Sequence, residues 1–218
     1  MKGVCFINAG IGEWYCHGSD RLKASLQQHG FSGDVLIWKD WPEIPFPRDV
    51  IYTCKAAAFQ QAIDADYGTI IWADSSIFAQ DDVTPFVARV VDKGMWIGSS
   101  GYNGAQTCTD ACLQYFEVTR DEAERMPDCA TGLFGVNLDF DFARKFIEAW
   151  IKSAHEGAFN GSRHHSGQSK DRRFKFGRQD QSAATMLCGK MGIKLDAFSE
   201  FVGYRWDKYP SIFKCEGM

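Results

Sequence analysis

Two kinds of hydrophobic pattern alternate along the chain. Short continuous apolar runs stand at residues 4–7, 35–38, 70–73, 95–98 and 133–137. Runs of that length bounded by turn residues predict strands, and unbroken ones predict strands buried on both faces. Between them, apolar residues recur at helical spacing. Ser19-Asp20 offers a cap to a helix running to about His29, with Leu22 and Leu26 on one face and Gly30 as its stop. Thr53 offers a cap to a second helix, carrying Ala56, Phe59 and Ile63. Asp82 caps a third, in which Val83, Phe86, Val87, Val90 and Val91 form one stripe and Gly94 lies beyond the end.

A fourth helix begins near Asp139 and aligns Ala143, Phe146, Ile147, Trp150, Ile151 and Ala154. The last starts at Asp180, which would cap it, and turns Ala184, Leu187, Cys188 and Met191 inward. A short helix is expected near residues 110–117, in an otherwise irregular stretch from 105 to 129. Pro42, Pro45 and Pro47 make residues 41–49 a loop. Residues 99–104 read as a Gly- and Ser-rich turn, residues 156–178 as a mobile basic loop, and the aromatic tail as packing back. The expectation is a single α/β domain over residues 1–218, its sheet mostly parallel with helices on both faces.

Composition adds bounds. The 218 residues are 45% hydrophobic and 24% charged with a net charge of −4, as in a soluble globular protein. The opening residues 1–8 hold too short an apolar run for a signal peptide, and no segment is of membrane-spanning length. Eight scattered cysteines without a Cys-x-x-Cys pair suggest a reducing, cytoplasmic setting. Cys5, Cys54 and Cys188 read as small core hydrophobes. Gly10-Ile-Gly12 lacks the third glycine of a dinucleotide fingerprint and the helix expected directly after it. With no Walker lysine loop and no Gly-x-Ser-x-Gly elbow, dehydrogenase, ATPase and α/β-hydrolase readings find no support.

Chemistry centres on Asp74, a lone carboxylate at the end of the 70–73 run, where open α/β sheets gather ligands. A cap for the following turn is the competing role. Lys55 falls in the first turn of its helix, either solvated or placed to meet an anion. Residues 163–178 hold Arg163, Lys170, Arg172, Arg173, Lys175 and Arg178 against Asp171, with His164, His165, Phe174 and Phe176 interleaved. Such a stretch is a solvated loop, or a flap for an anionic partner of the kind that binds single strands.

Three segments together resemble the GT-A glycosyltransferases, which use nucleotide-sugar donors. They are Tyr67-Gly-Thr-Ile-Ile-Trp-Ala-Asp-Ser-Ser, Ala130-Thr-Gly-Leu-Phe-Gly-Val-Asn137 ahead of the Trp150 helix, and Arg178-Gln-Asp-Gln-Ser182. The last is similar to small bacterial capsular-type transferases, and its Asp-Gln pair to the glycogenin-like group. The resemblance implies a nucleotide-diphosphate sugar donor held by Asn8, Ala9, Gly10, Lys55, Asp74, Ser76, Thr131, Gly132 and Arg178. It implies Asp180 and Gln181 as catalytic residues and a divalent cation, manganese or magnesium, at Asp74. Ser76 departs from the family's Asp-x-Asp motif, because it stands where a second carboxylate is usual. The acceptor would be a hydroxyl on a glycan, a lipid carrier or a modified DNA base reached through the basic loop. The alternatives are a sugar nucleotidyltransferase and a non-catalytic module that binds a nucleotide sugar or nucleic acid.

Overall fold

The computed structural model describes residues 2–42, 50, 52–159 and 169–216. Its first half runs β1 (Lys2–Ala9), α1 (Glu13–Gln28), β2 (Asp34–Trp38), α2 (Thr53–Asp64), β3 (Tyr67–Ala73), β4 (Ile77–Ala79), α3 (Thr84–Lys93) and β5 (Met95–Asn103). Three short helices follow, α4 (Gly104–Thr107), α5 (Asp110–Tyr115) and α6 (Arg120–Ala123), and then the long β6 (Pro127–Asn137). The chain continues through α7 (Asp141–His155), α8 (Gln179–Met191), β7 (Asp196–Ala197), a 3-10 turn at Phe198–Glu200, β8 (Val202–Tyr204) and β9 (Phe213–Cys215).

Every residue of β3 is buried, which is why its sequence is apolar without alternation. It is central in a six-stranded sheet of order β2-β1-β3-β6-β5-β7. β1, β2 and β3 are parallel, β6 runs against both β3 and β5, and β7 follows β5. Five strands therefore share a direction and one is reversed. Because side chains alternate across a strand, Ile70 and Trp72 meet α2, α7 and α8 on one face. Ile71 and Ala73 meet α1, α3 and a small sheet of order β4-β9-β8 on the other. Helices do cover both faces, and the mostly parallel α/β expectation is met.

Several local expectations are corrected. α1 starts at Glu13, directly after Gly12 at φ 97°, and Ser19 lies in mid-helix. The early turn was hidden because Trp14 and Tyr15 face solvent, so the apolar stripe marks only the later half. Thr53 is the first residue of α2 rather than its cap, and its hydroxyl donates to the Val50 carbonyl at 2.8 Å. Asp82 does accept from the Thr84 amide at 2.9 Å, one position ahead of the cap. Asp180 lies inside the first turn of α8, not at its cap, and Met191 is exposed rather than inward.

Residues 99–103 are strand, not turn, and β6 begins at Pro127 rather than after Gly132. Ser99 pairs with Cys129 and Asn103 with Pro127, across register shifts. The β5 arm faces partly into solvent, and the β6 arm is buried but broken by Asp128, Thr131 and Gly132, so neither carries a continuous apolar run to betray it. All eight cysteines are free thiols, and burial pushes Cys5 and Cys54 up to about 12, as suits inert core residues. Among the described residues no helix is long and apolar enough to cross a membrane.

Candidate active site

The carboxyl ends of β1, β3 and β5 share one edge of the sheet, and the reversed β6 brings its first half there too. Asp74 is the first residue beyond β3. Its amide donates to the Gly132 carbonyl at 2.7 Å, and its carbonyl accepts from the Ile77 amide at 2.8 Å. The backbone is thereby fixed and the side chain, 36% exposed, points out of the sheet. Its Oδ1 accepts from the Trp72 indole N–H at 2.7 Å.

Lys55 comes from the first turn of α2 and is buried, with a side chain only 5% exposed. Its Nζ lies 2.9 Å from Asp74 Oδ1 and 3.0 Å from Asp180 Oδ2, and donates to the Thr131 carbonyl at 3.3 Å. The faces of Trp72 and Tyr52 lie 5.2 and 5.7 Å from the ammonium. Burial lowers the pKa of such a lysine, but the charges of Asp180 and Asp74 and the bonds to them outweigh it and hold it above its ordinary value. The solvated alternative for Lys55 is excluded.

Asp180 is buried at the amino end of α8. Its Oδ2 also accepts from the Thr131 hydroxyl at 2.8 Å, and its backbone carbonyl accepts from the Trp150 indole at 2.9 Å. Trp150 is itself packed edge-on against Phe59 and Phe134, so α7 holds the start of α8 in place. Gln181 is buried beside it, with Nε2 donating to Asp128 Oδ2 at 2.7 Å and Oε1 accepting from Arg178 at 3.4 Å.

Asp128 escaped the sequence reading. It is fully buried, and Ser100, Thr107, Thr185 and Gln181 all donate to it. Burial pushes its carboxyl above the usual range, although those four hydrogen bonds pull the other way. The only signal in the sequence was a carboxylate just ahead of an apolar run. The structure thus gathers Lys55, Asp74, Thr131, Gly132 and Asp180 into one corner, with Gln181 and Arg178 adjoining.

The remaining predicted residues lie apart. Asn8 is buried one strand away, where Nδ2 donates to the Ala73 carbonyl at 2.7 Å and Oδ1 accepts from Ser19 and Ser75. Its side chain ties β1, β3 and α1 together. A Cβ on Gly10 would meet Ser19 Oγ at 2.0 Å, so the approach of α1 requires glycine there. At this strand end Ala9 is half-buried, and Gly10 spends its amide on the Trp38 carbonyl. Ser76 turns toward Cys215 in the small sheet, 3.8 Å from its sulfur.

The fit to a divalent cation is narrow. Asp74 Oδ1 already serves two donors, Asp180 Oδ2 serves two more, and Lys55 fills the space between the carboxylates. Among the described residues no three His, Cys, Asp or Glu side chains group as a metal-holding set. Asp74 Oδ2 carries no hydrogen bond among the described residues and faces Gly132, where a Cβ would stand 3.3 Å away. One carboxylate oxygen with substrate phosphates can hold magnesium, and the residues present fit a cation in that form alone.

The basic loop is tempered by its own neighbours. Arg173 pairs with Asp171, Asp121 and Glu124 at 2.8–2.9 Å. Arg120 caps Phe174 and Arg178 caps Phe176. Arg163, His164 and His165 lie outside the described residues. Two surface hollows, one lined by Gln60, Ile151 and His155 and one by Met95, Phe142 and Ile193, include no residue of the corner.

No protein-family model and no curated protein sequence matches the chain. Solved structures similar in shape include two transferases. Mouse xyloside xylosyltransferase 1, in its apo form, is 9% identical over 98% of this chain and 97% of that one, with a TM-score of 0.52. A glycosyltransferase involved in the glycosylation of the major capsid of PBCV-1 is 12% identical over 72% of this chain and 70% of that one, with a TM-score of 0.45. At 9% identity the xylosyltransferase likeness speaks for fold, and the fold is GT-A-like, as the motifs implied.

Proposed function

We propose that this chain is a glycosyltransferase moving a sugar from a nucleotide-diphosphate sugar to a hydroxyl acceptor. The observation that carries the reading is the buried Lys55 clamped between Asp74 and Asp180 at the ligand-binding edge of a GT-A-like sheet. A buried cation bridging two carboxylates costs desolvation that an apolar core would avoid; a site that must fix two acids in one place accounts for it.

In this reading Lys55, Asp74, Thr131 and Gly132 form the donor side, and the missing Cβ of Gly132 lets the sugar approach the strand. Asp180 receives the acceptor's proton as its oxygen bonds to the anomeric carbon. The bond from that carbon to the phosphate oxygen breaks, and the diphosphate leaves with the electron pair. Gln181, its amide nitrogen held by Asp128, turns its carbonyl oxygen to the oxocarbenium-like state. Arg178, in only a 3.4 Å contact with Gln181, is the cation placed to meet the leaving phosphate. Asp74, through its Oδ2, would hold a divalent cation alongside the donor's phosphates, and such a cation would neutralise charge on the leaving group.

The nucleotidyltransferase alternative gains one observation, since α1 does follow Gly10-Ile-Gly12 directly. Glu13 in its first turn opposes a phosphate there, so the reading stays second. The test is release of nucleoside diphosphate from UDP-, GDP- and ADP-sugars without acceptor, with and without manganese. Release that Asp180→Asn slows at least tenfold supports transfer. Release of pyrophosphate from nucleoside triphosphate and sugar phosphate instead would establish the second reading. A module that binds a nucleotide sugar without turnover would refute both.

A further inference from the structure

Beyond the corner lies an exposed aromatic surface whose rings take no part in the chemistry above. Tyr204 and Trp206 stack with centroids 5.1 Å apart and planes within 2°, yet Trp206 is 69% and Tyr204 40% exposed. One face of the Trp206 indole is therefore covered by Tyr204 and the other is open. In the small sheet Tyr204 pairs with Cys215, which pairs with Ile77, three residues after Asp74. Two strand spacings put the Tyr204 backbone roughly 10 Å from that of Ile77. On the other side, Tyr102 at the end of β5 packs edge-on against Phe176, 5.2 Å away, and Arg178 lies over Phe176 at 4.9 Å. Tyr204 also packs against Phe198, 6.2 Å away, and Phe198 follows Ala197, which pairs with Ser99 of β5, so the Tyr204–Trp206 pair lies beside the strand that ends in Tyr102.

Charge narrows what this surface fits. Lys175 lies over the Tyr102 ring at 5.3 Å, and Lys214 donates to the Tyr204 and Asp207 carbonyls. Arg205 and Lys208 flank Trp206 in the exposed stretch, against Asp207 alone. The surface is basic in a protein that is acidic as a whole. A strand of nucleic acid uses successive free ring faces, whereas here Phe176 and Tyr102 are already capped by cations and Trp206 is the most exposed ring of the surface. A pyranose ring has one apolar C–H face to lay on an indole and a rim of hydroxyls for phenol and guanidinium donors. Carboxylate or sulfate groups on such a ring answer the surrounding cations.

We infer that the Trp206–Tyr204 stack, with Tyr102 and Arg178, is the subsite for an acidic oligosaccharide acceptor. This rests on the transferase reading and names its acceptor class. The test titrates tetragalacturonate, a hyaluronan tetrasaccharide and a chondroitin sulfate tetrasaccharide into the full chain by calorimetry, with cellotetraose and a dT15 strand as comparisons. At least one acidic oligosaccharide should bind more tightly than cellotetraose and dT15, weaken as sodium chloride rises from 50 to 300 mM, and lose at least tenfold in affinity in Trp206→Ala. Trp206 is exposed, so that variant should keep its fold and, in the absence of acceptor, its rate of donor hydrolysis. No binding by any acidic oligosaccharide, binding unchanged in Trp206→Ala, or tighter binding of dT15 or cellotetraose would each overturn the inference. Because these titrations need no donor, failure of the transferase reading shows separately, as absent donor hydrolysis.

Discussion

Lys55 lies within 3.0 Å of two carboxylates that come from opposite halves of the chain. Replacing it with methionine would strand Asp180 in a buried site and leave Asp74 half in water. Breaking such a pair costs about 3–5 kcal/mol when both partners are buried, and the exposure of Asp74 moves the expected loss in urea unfolding to the lower end. Gly132 gives a gentler probe of the same corner. Its added Cβ would sit 3.3 Å from Asp74 Oδ2 and 3.6 Å from Ile77 Cδ1, close but not overlapping. Gly132→Ala should keep a melting temperature near that of the parent while raising the donor KM; a raised KM with a collapsed melting temperature would assign the glycine to packing alone.

Asp128 makes a pH-dependent prediction. Its folded pKa is raised by burial, so the unfolded chain ionises this group first. The stability it contributes is whole below the unfolded value, near 4, and declines as pH rises through the folded value. Asp128→Asn cannot ionise, and its amide would oppose donors from Ser100, Thr107, Thr185 or Gln181, at about 1–3 kcal/mol for each donor left unmet. The variant should melt lower throughout, with the gap to the parent narrowing as pH rises above about 4. Catalysis should suffer more than donor binding, because it is Gln181 that loses its anchor.

Among the elements, those carrying an unbroken apolar run or stripe were legible and those without one were not. β1 and β3 announce themselves because a strand covered on both sides has no room for polar residues. The α7 stripe was equally plain, with all six aligned residues buried. The first half of β6, buried but broken by Asp128, Thr131 and Gly132, was not, and neither was the extension of β5, since Ser99–Asn103 hydrogen-bonds as strand while facing partly into solvent, and periodicity reports burial rather than pairing. The opening of α1 was lost for the same reason. Helix α7 also makes a prediction at this scale: Trp150→Phe removes the indole hydrogen bond from its stripe to the Asp180 carbonyl while keeping an aromatic ring. It should cost about 1 kcal/mol in stability and lower kcat, with the donor KM little changed, if α7 acts by aiming the first turn of α8.

Across the whole molecule, the candidate site is assembled from segments far apart in the chain. Asp74, Lys55 and Asp180 could each be singled out from local pattern and family motif, but nothing in the sequence says that one ammonium joins them. Asp128 reaches Gln181 across 53 residues, a separation no short-range pattern encodes. The surface field tells a similar story. The loop that reads as strongly basic has Arg173 tied to its own Asp171 and to two acids supplied by folding, Asp121 and Glu124, while the basic aromatic face near Trp206 is made by joining β5, the segment ahead of α8 and the tail.

The most direct measurement is calorimetric titration of UDP-, GDP- and ADP-sugars into the full chain and into Asp74→Asn. At least one nucleotide sugar should bind the parent, and the substitution, which removes the charge facing Lys55 while keeping the side chain's shape, should weaken it at least tenfold. Equal affinity in both proteins, or no binding of any donor by a folded parent, would contradict the account.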